Sequence, residues 1–152
     1  MILRKVTSFD YDFIRDLVTN PQIYTHIKNR EKWSDNKIKV FINECEEGGN
    51  NLFYICSVDE GDIGVIGVSL KKKKYSLTVF IHPDHQGKGY FWTIFDMFMG
   101  EVHNQLPKIN HFYVQIHEEN KKMIEIMETK YKKSDSYYIG SIYVFEYKVQ
   151  VW

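Results

Sequence analysis

The sequence has few of the residues that build disulfide scaffolds, membrane spans or polyelectrolyte-binding surfaces. Cysteine occurs twice in 152 residues, too few for a disulfide framework or a cysteine-rich zinc site. No apolar run approaches the roughly 20 residues of a membrane-spanning helix, and residues 1–6 lack a secretory pattern. The 20 basic and 20 acidic side chains cancel, which argues against a nucleic-acid binder. We therefore expect one cytoplasmic domain over 1–152 that binds neither nucleic acid nor membranes.

Apolar residues are plentiful, and their spacing predicts the secondary structure. Hydrophobic residues make up 43% of the chain and aromatic residues 16%, which is enough for a core. A period of 3.6 predicts four helices, between Ser8 and Pro21, between Ser34 and Gly48, between Gly89 and Pro107, and over 120–131. The first helix places on one stripe Phe9, Phe13, Ile14, Leu17 and Val18. A period of two predicts strands over 2–6, 52–58, 63–70, 75–82, 109–116 and 137–149.

The order of these elements predicts the fold class. Three consecutive strands joined by short turns pair antiparallel, whereas a strand–helix–strand crossover pairs parallel. We expect an α/β (α+β) fold with a mixed, mostly antiparallel central sheet of six or seven strands, flanked by about four helices.

The segment most suggestive of chemistry is the loop over 82–89, which joins a strand to an amphipathic helix. A glycine-rich loop that opens a helix points several unpaired backbone N–H groups in one direction, and the helix dipole adds positive potential there. Such a place binds phosphate. Gly87 and Gly89 allow close approach of a pyrophosphate, and Gln86 and Lys88 add donors.

Single residues argue against two common phosphate loops. A dinucleotide-binding fingerprint needs glycine where Trp92 stands, and a Walker loop needs Ser or Thr where Gly89 stands. The segment Ile81-His82-Pro83, followed by Gln86-Gly87-Lys88-Gly89-Tyr90, resembles instead the acetyl-CoA loop of the GCN5-related N-acetyltransferases. That loop reads Gln/Arg-x-x-Gly-x-Gly/Ala after a strand.

The resemblance implies acetyl-CoA as co-substrate and gives roles to particular residues. The pyrophosphate would be held by backbone N–H groups of Gly87, Lys88, Gly89, Tyr90 and Phe91. The pantetheine would bond to the strand edge formed by Val79, Phe80 and Ile81, with Asn120 contacting it or the nearby backbone. Phe91 stands where the family has Gly or Ala, and its place on the helix stripe would turn the ring inward. Exposed sheet edges in this family leave room for a homodimer.

The residues that move protons are less well defined. Family members carry a Tyr seven residues after the Asn as acid for the departing thiolate, but Met127 stands there and has no proton to give. Tyr131, one turn further along the same helix face, is our candidate acid, with Tyr137 and Tyr138 as alternatives.

The candidate bases are His82, His117 and Glu118, near the ends of the two strands beside the cofactor, and ordered water is the alternative. His82 and His85 lie three apart with no third ligand in view, so we expect loop polarity and no metal.

The resemblance implies an acetyl-CoA-dependent N-acetyltransferase acting on a primary amine. A small acceptor is favoured, such as a polyamine, an aminoglycoside-like compound or a nucleotide-linked amino sugar, because little of the chain lies outside the core fold. Five aromatic residues are expected to line its pocket: Tyr24, Trp33, Phe41, Phe53 and Tyr54. The run Lys71–Lys74 is expected to be a solvated turn. Two alternatives remain open, a protein N-terminal or lysine acetyltransferase and a non-catalytic acyl-CoA-binding module.

Overall fold

A computed structural model describes residues 1–27, 30–48, 51–71, 74–106, 109, 111–130 and 135–148. The strands in these ranges are β1 (Ile2–Lys5), β2 (Asn51–Val58), β3 (Gly61–Lys71), β4 (Lys74–Ile81), β5 (His111–His117), β6 (Asp135–Ile139) and β7 (Ile142–Lys148). The helices are α1 (Tyr11–Val18), α2 (Pro21–Tyr24), α3 (Asp35–Glu47), α4 (Tyr90–Gln105) and α5 (Lys121–Lys130). None of these helices has the length and apolar character needed to cross a membrane.

The strands form one sheet in the order β1-β2-β3-β4-β5-β7-β6. Every neighbouring pair is antiparallel except β4 and β5, which are parallel. The expected mixed, mostly antiparallel α/β fold is confirmed, with seven strands and, in the described ranges, five helices. The parallel pair is short, since its register consists of Ser76 opposite Tyr113 and Leu77 opposite Val114. Beyond these pairs the two strands diverge.

Helices cover the two faces of the sheet unequally. One face packs α1 and α3 against β2 and β3, through a cluster of Ile14, Leu17, Ile38, Ile42, Phe53, Ile55 and Val65. The opposite face packs α4 and α5 against the middle of the sheet, through a larger cluster that includes Ile66, Ile94, Phe95, Phe98, Phe112, Met127 and Phe145. Each such side chain, when fully buried, contributes about 1.5–3 kcal/mol of stability. The diverging ends of β4 and β5 therefore lie between these two hydrophobic clusters, one on each face of the sheet.

Caps at the first helices explain where the sequence prediction fails. The Asp10 carboxylate accepts from the backbone N–H of Thr7 at 2.9 Å in a capping box, which fixes a 3-10 turn over Ser8–Asp10. Helix α1 therefore begins at Tyr11, and Phe9 is 97% exposed, so its placement on the apolar stripe was wrong. Asn20 accepts from the Gln22 N–H at 2.9 Å and starts α2, where the sequence predicted only an end.

Candidate active site

A cleft of about 810 Å³ lies where β4 and β5 diverge. Both faces of the sheet contribute to its walls, through Thr78, Val79, Phe80, Gln115, Ile116, Phe91, Asn120, Met123, Met127, Trp33, Lys37 and Phe41, among others. Residues 79–81 pair with β3 on one side, but β5 pairs with β4 only at Ser76 and Leu77. Their other edge therefore offers unpaired backbone groups to a ligand in the cleft.

The loop over 82–89 is shaped by local hydrogen bonds. A 3-10 turn covers Pro83–His85, and the His82 Nδ1 accepts from the backbone N–H of Asp84 at 3.1 Å. Gly87 and Gly89 have φ values of 75° and 79°, which favour glycine. Gly89 caps α4 without a side chain, so the first N–H groups of the helix remain free for an anion.

The Gln86 side chain serves the loop itself. Its Nε2 donates to the carbonyl oxygen of Ile81 at 2.8 Å and ties the loop to the end of β4. The sequence interpretation gave this amide to the phosphate. The structure shows that its main contact holds the backbone that would carry the phosphate donors.

Sequence reasoning missed a second cation at this loop. The ammonium of Lys122, on the first turn of α5, lies 3.7 Å from where a Cβ at Gly87 would stand. The exposed Lys88 belongs to the loop itself. The order of the elements could have predicted this contact. The loop follows the carboxyl end of β4, and α5 follows the carboxyl end of β5. Because β4 and β5 are parallel neighbours, these two ends lie at the same edge of the sheet.

Phe91 and Asn120 lie near the starts of α4 and α5, and both line the cleft. Phe91 is buried, and its ring contacts Trp92 and Phe95 with centroids 4.8 and 5.9 Å away. The inward ring therefore lets a large residue occupy a position that is small in the family. Asn120 lines the cleft, and its Oδ1 accepts from the Met123 N–H at 3.4 Å, at the start of α5.

The cleft does not contain the histidines and the carboxylate proposed as bases. His82 caps its turn, Glu118 is exposed, and the buried His117 accepts from the Glu119 N–H at 3.2 Å. None of them lines the cleft. The reason is local, because each lies at the end of a strand. The rings of His82 and His117 accept from backbone N–H groups of the turns that follow, and the Glu118 N–H donates to the carbonyl oxygen of Ser141 at 2.7 Å.

The candidate acids are divided by position. Tyr131 lies outside the described residues. Tyr137, on β6, lines the cleft, whereas Tyr138 faces away from it and packs against Tyr143 with centroids 4.6 Å apart. Met127 is fully buried in the position of the family tyrosine. Other titratable side chains that line the cleft are His26, Lys37, Glu44, Lys74 and Tyr113.

Of the five aromatic residues expected to line the acceptor pocket, only Trp33, Phe41 and Phe53 line the cleft. Phe41 contacts Trp33 and Phe53 edge-on, with centroids 5.4 and 4.8 Å away. Tyr24 does not line the cleft. Tyr54 lies on the opposite face, where its hydroxyl donates to Glu101 at 3.2 Å. Burial, and then the Glu101 charge, raise the pKa of Tyr54 to about 12.

The lysine run is not simply a solvated turn. Lys72 and Lys73 lie outside the described residues, but Lys74 begins β4 and lines the cleft. Its ammonium lies 4.7 Å from the ring centroid of Tyr113. Among the residues described, no cluster of three or more His, Cys, Asp or Glu side chains could hold a metal ion.

Comparison with known proteins decides the family. The family model described as an acetyltransferase (GNAT) domain matches residues 1–129. The chain belongs to the GNAT family. It is accordingly an acetyl-CoA-dependent N-acetyltransferase. No curated protein sequence matches it significantly.

Solved structures, including those of two acetyltransferases, share the fold at low identity. A spermidine N-acetyltransferase from Vibrio cholerae, in complex with CoA and spermine, is 16% identical with a TM-score of 0.75, covering 97% of this chain and 95% of that one. A GNAT-family acetyltransferase from Streptococcus pneumoniae is 10% identical with a TM-score of 0.75, covering 98% and 99%. A domain from Methanocaldococcus jannaschii is 16% identical with a TM-score of 0.76, covering 97% of each chain. These likenesses establish the GNAT architecture and leave the acceptor to be argued from the cleft.

Proposed function

We propose that this GNAT protein transfers the acetyl group of acetyl-CoA to a primary amine of a small molecule. One observation carries the proposal. The glycine loop over 86–89 and the free N–H groups of α4 follow the end of β4, in the chain segment between Phe80 and Phe91, which both line the cleft. A ligand with a phosphate at one end and an extended arm fits this combination.

The donor would lie along β4. Backbone N–H groups of residues 87–91 would hold the pyrophosphate, with Lys88 and Lys122 beside it. The free edge of residues 79–81 would bond to the pantetheine, as would Asn120. From Ile81 to Leu77 the strand spans about 13 Å at ~3.3 Å per residue. The thioester would then come to rest near the point where the strands join.

The reaction exchanges one bond for another at the acetyl carbonyl. The amine nitrogen forms a bond to the carbonyl carbon, the carbon–sulfur bond breaks, the amine loses a proton and the thiolate gains one. An ordinary ammonium has a pKa near 10.4, so its neutral form costs about 4–5 kcal/mol at pH 7. The apolar wall of Trp33 and Phe41 favours the neutral amine through desolvation, and a backbone N–H near Phe80 would polarise the carbonyl.

The proton steps need few side chains. Water in an open cleft can take the amine proton, and a tyrosine hydroxyl can protonate the thiolate. Tyr137 is the candidate that the described residues bring to the cleft; Tyr131 stays a prediction.

The acceptor class includes polyamines, aminoglycoside-like compounds and nucleotide-linked amino sugars. Structural similarity to spermidine N-acetyltransferases supports a small amine.

The cytoplasmic location belongs to the same proposal and is supported by free thiols at Cys45 and Cys56. We also propose a homodimer, for which light scattering would give a mass twice the 18.2 kDa of one chain.

Calorimetric titration with acetyl-CoA tests the donor site. Wild-type protein should bind in the micromolar range, and Gly89→Asp should abolish binding by placing a carboxylate against the phosphates. Gly48→Asp is the matched control, because Gly48 has a φ of 74° with open space around it and lies outside the cleft. Its ψ of −131° lies outside the left-handed region that Gly89 adopts with a ψ of 10°, so aspartate adds at least as much backbone strain at Gly48. A folded Gly48→Asp protein should nevertheless bind normally. Equal losses in both variants, or no binding by the wild type, would overturn the donor assignment.

Release of CoA thiol from an amine panel tests turnover. Small primary amines should be acetylated with a higher kcat/KM than peptides that offer an N-terminus or a lysine. Preference for peptides would establish the protein-acetylating alternative. Binding of acetyl-CoA with no thiol release from any amine would establish a binding module.

A further inference from the structure

The acceptor side of the cleft carries two ammonium groups held against aromatic rings. The Nζ of Lys37 on α3 lies 4.6 Å from the ring centroid of Trp33, and the Nζ of Lys74 on β4 lies 4.7 Å from that of Tyr113. All four side chains line the cleft. Cation–π contacts hold both ammonium groups beside the space that an acceptor would occupy. In the described part of the chain, neither lysine forms an ion pair.

Carboxylates are scarce on the same wall. Among the described residues Glu44 alone brings one to the cleft, and it accepts from Asn51 Nδ2 at 3.4 Å. Glu119, in the turn before α5, lies 2.9 Å from the guanidinium of Arg30. The wall therefore offers more positive groups than negative ones.

We propose that the acceptor is a primary amine that also carries an anionic group, a carboxylate or a phosphate, bound between Lys37 and Lys74. This inference rests on the proposed acetyl transfer. A polyamine brings several ammonium groups into the cleft, and Glu44 alone cannot pair with all of them. The two lysines would repel such a substrate and would attract an anion, so they select between acceptor classes.

The anionic group of the acceptor would pair with the two lysines, so its charge offsets theirs at the bound amine. Desolvation against Trp33 and Phe41 would then keep the nucleophile neutral. A cleft of this kind can work with water as the proton acceptor, which fits the position of His82, His117 and Glu118 outside it.

Matched amine pairs test the proposal. Glucosamine 6-phosphate is compared with glucosamine, and β-alanine with propylamine, with spermidine as the polycation. Two readouts are used, kcat/KM from thiol release and affinity of each amine for the CoA-saturated protein by calorimetry. At least one anionic member should exceed its neutral partner and spermidine about tenfold in both. A preference within the glucosamine pair would indicate a phosphate, and a preference for β-alanine over propylamine would indicate a carboxylate.

Charge variants assign the preference to the two lysines. Lys37→Ala and Lys74→Ala should each lower kcat/KM for the anionic amine about tenfold and leave its neutral partner nearly unchanged. The double variant Lys37→Glu/Lys74→Glu should favour spermidine. Lys39→Ala is the control, since Lys39 is exposed on α3 and does not line the cleft. Its values should match the wild type.

The proposal fails if the wild type binds and acetylates neutral amines or spermidine as well as the anionic ones. It fails also if acetyl-CoA binds but anionic amines bind the CoA-saturated protein no better than neutral ones. Failure of the proposed function looks different, because the protein would then bind no acetyl-CoA, or would bind it and release no thiol with any small amine.

Discussion

Lys122 contributes the cation that sequence reasoning overlooked at the glycine loop. Lys122→Gln should weaken acetyl-CoA binding by about 1 kcal/mol, roughly fivefold in Kd, because its ammonium lies beside Gly87 in a solvated place. The adjacent Lys121→Gln is the control and should bind like the wild type. Calorimetry at two salt concentrations checks this, since the loss should shrink as salt rises. Equal affinities for both variants would remove Lys122 from the donor site.

Met127 should be a packing residue with no part in proton transfer. Its side chain is fully buried among α4, α5 and the sheet. Met127→Ala should cost about 2–5 kcal/mol of unfolding free energy, and Met127→Leu less than about 1.5 kcal/mol. Denaturant unfolding measures both. The kcat of Met127→Leu should stay within about twofold of the wild type, whereas a large loss of kcat in a stable Met127→Leu protein would show that the thioether acts in the reaction.

Both thiols should be unreactive near neutral pH. Burial raises the pKa of Cys45 to about 12, with Glu44 and Glu46 adding to it, and burial with Asp62 raises the pKa of Cys56 to about 12. About one thiol in ten thousand is then ionised at pH 8, and the thiolate is the reactive form. A disulfide exchange reagent should show little reaction in minutes with the native protein and two thiols after denaturation. Fast stoichiometric labelling at pH 8 would contradict these pKa values.

At the scale of single residues, the sequence predicted backbone roles better than side-chain roles. Gly87 and Gly89 were predicted to let the loop backbone approach a ligand closely, and both adopt a positive φ, which favours glycine. Tyr54 was predicted in the acceptor pocket beside Phe53. Adjacent residues of a strand face opposite sides of the sheet, so this error was avoidable. The contacts of Lys74 and Lys122 depend on elements distant in sequence, which no local pattern reveals.

At the scale of elements, the pairing of β3 with β4 should control the donor edge. A Cβ at Gly64 would collide with the carbonyl oxygen of Phe80. Gly64→Ala should therefore push β4 away and lower both stability and acetyl-CoA affinity.

Gly100→Ala is the matched control for this prediction. Gly100 lies in the interior of α4 with open space around its Cα, so alanine should add about 0.5–1 kcal/mol there. Thermal unfolding and calorimetry check both variants. A Gly64→Ala protein as stable and as tight as the wild type would contradict the close approach of these strands.

Element types were more predictable than element boundaries. Periods of 3.6 and 2 identified α3, α4, α5 and the central strands, because these elements bury one continuous stripe or face. A cap at Ser34 or Asp35 was also predicted, and the cap is Ser34, whose Oγ accepts from the Lys37 N–H at 3.2 Å. The start of α1 and the existence of α2 were missed. The first depends on a side-chain cap by Asp10 and the second on one by Asn20. Such a cap contributes about 1 kcal/mol of helix stability, which is enough to decide between a turn and a helix.

At the scale of the whole molecule, the order of the elements was enough to predict the fold class, and the glycine loop was enough to indicate the family. A strand–helix–strand crossover into β5 requires a parallel neighbour, so the mixed sheet followed from order alone. The divergence of β4 from β5 did not follow from the element order, because it depends on how the helices pack on the two faces of the sheet. The zero net charge excluded capture of polyanions by the whole surface, yet it concealed a locally positive cleft at Lys37 and Lys74.

Hydrogen exchange by mass spectrometry, with and without acetyl-CoA, tests the central claim that the donor occupies the loop and the opening between β4 and β5. The account predicts slower exchange over 78–91 and 120–127, because the ligand would bond to these backbones and cover them. Residues 54–57 of β2, which pair with β1 and β3 and do not line the cleft, should not change. Protection confined to other segments, or none at saturating acetyl-CoA, would contradict the account.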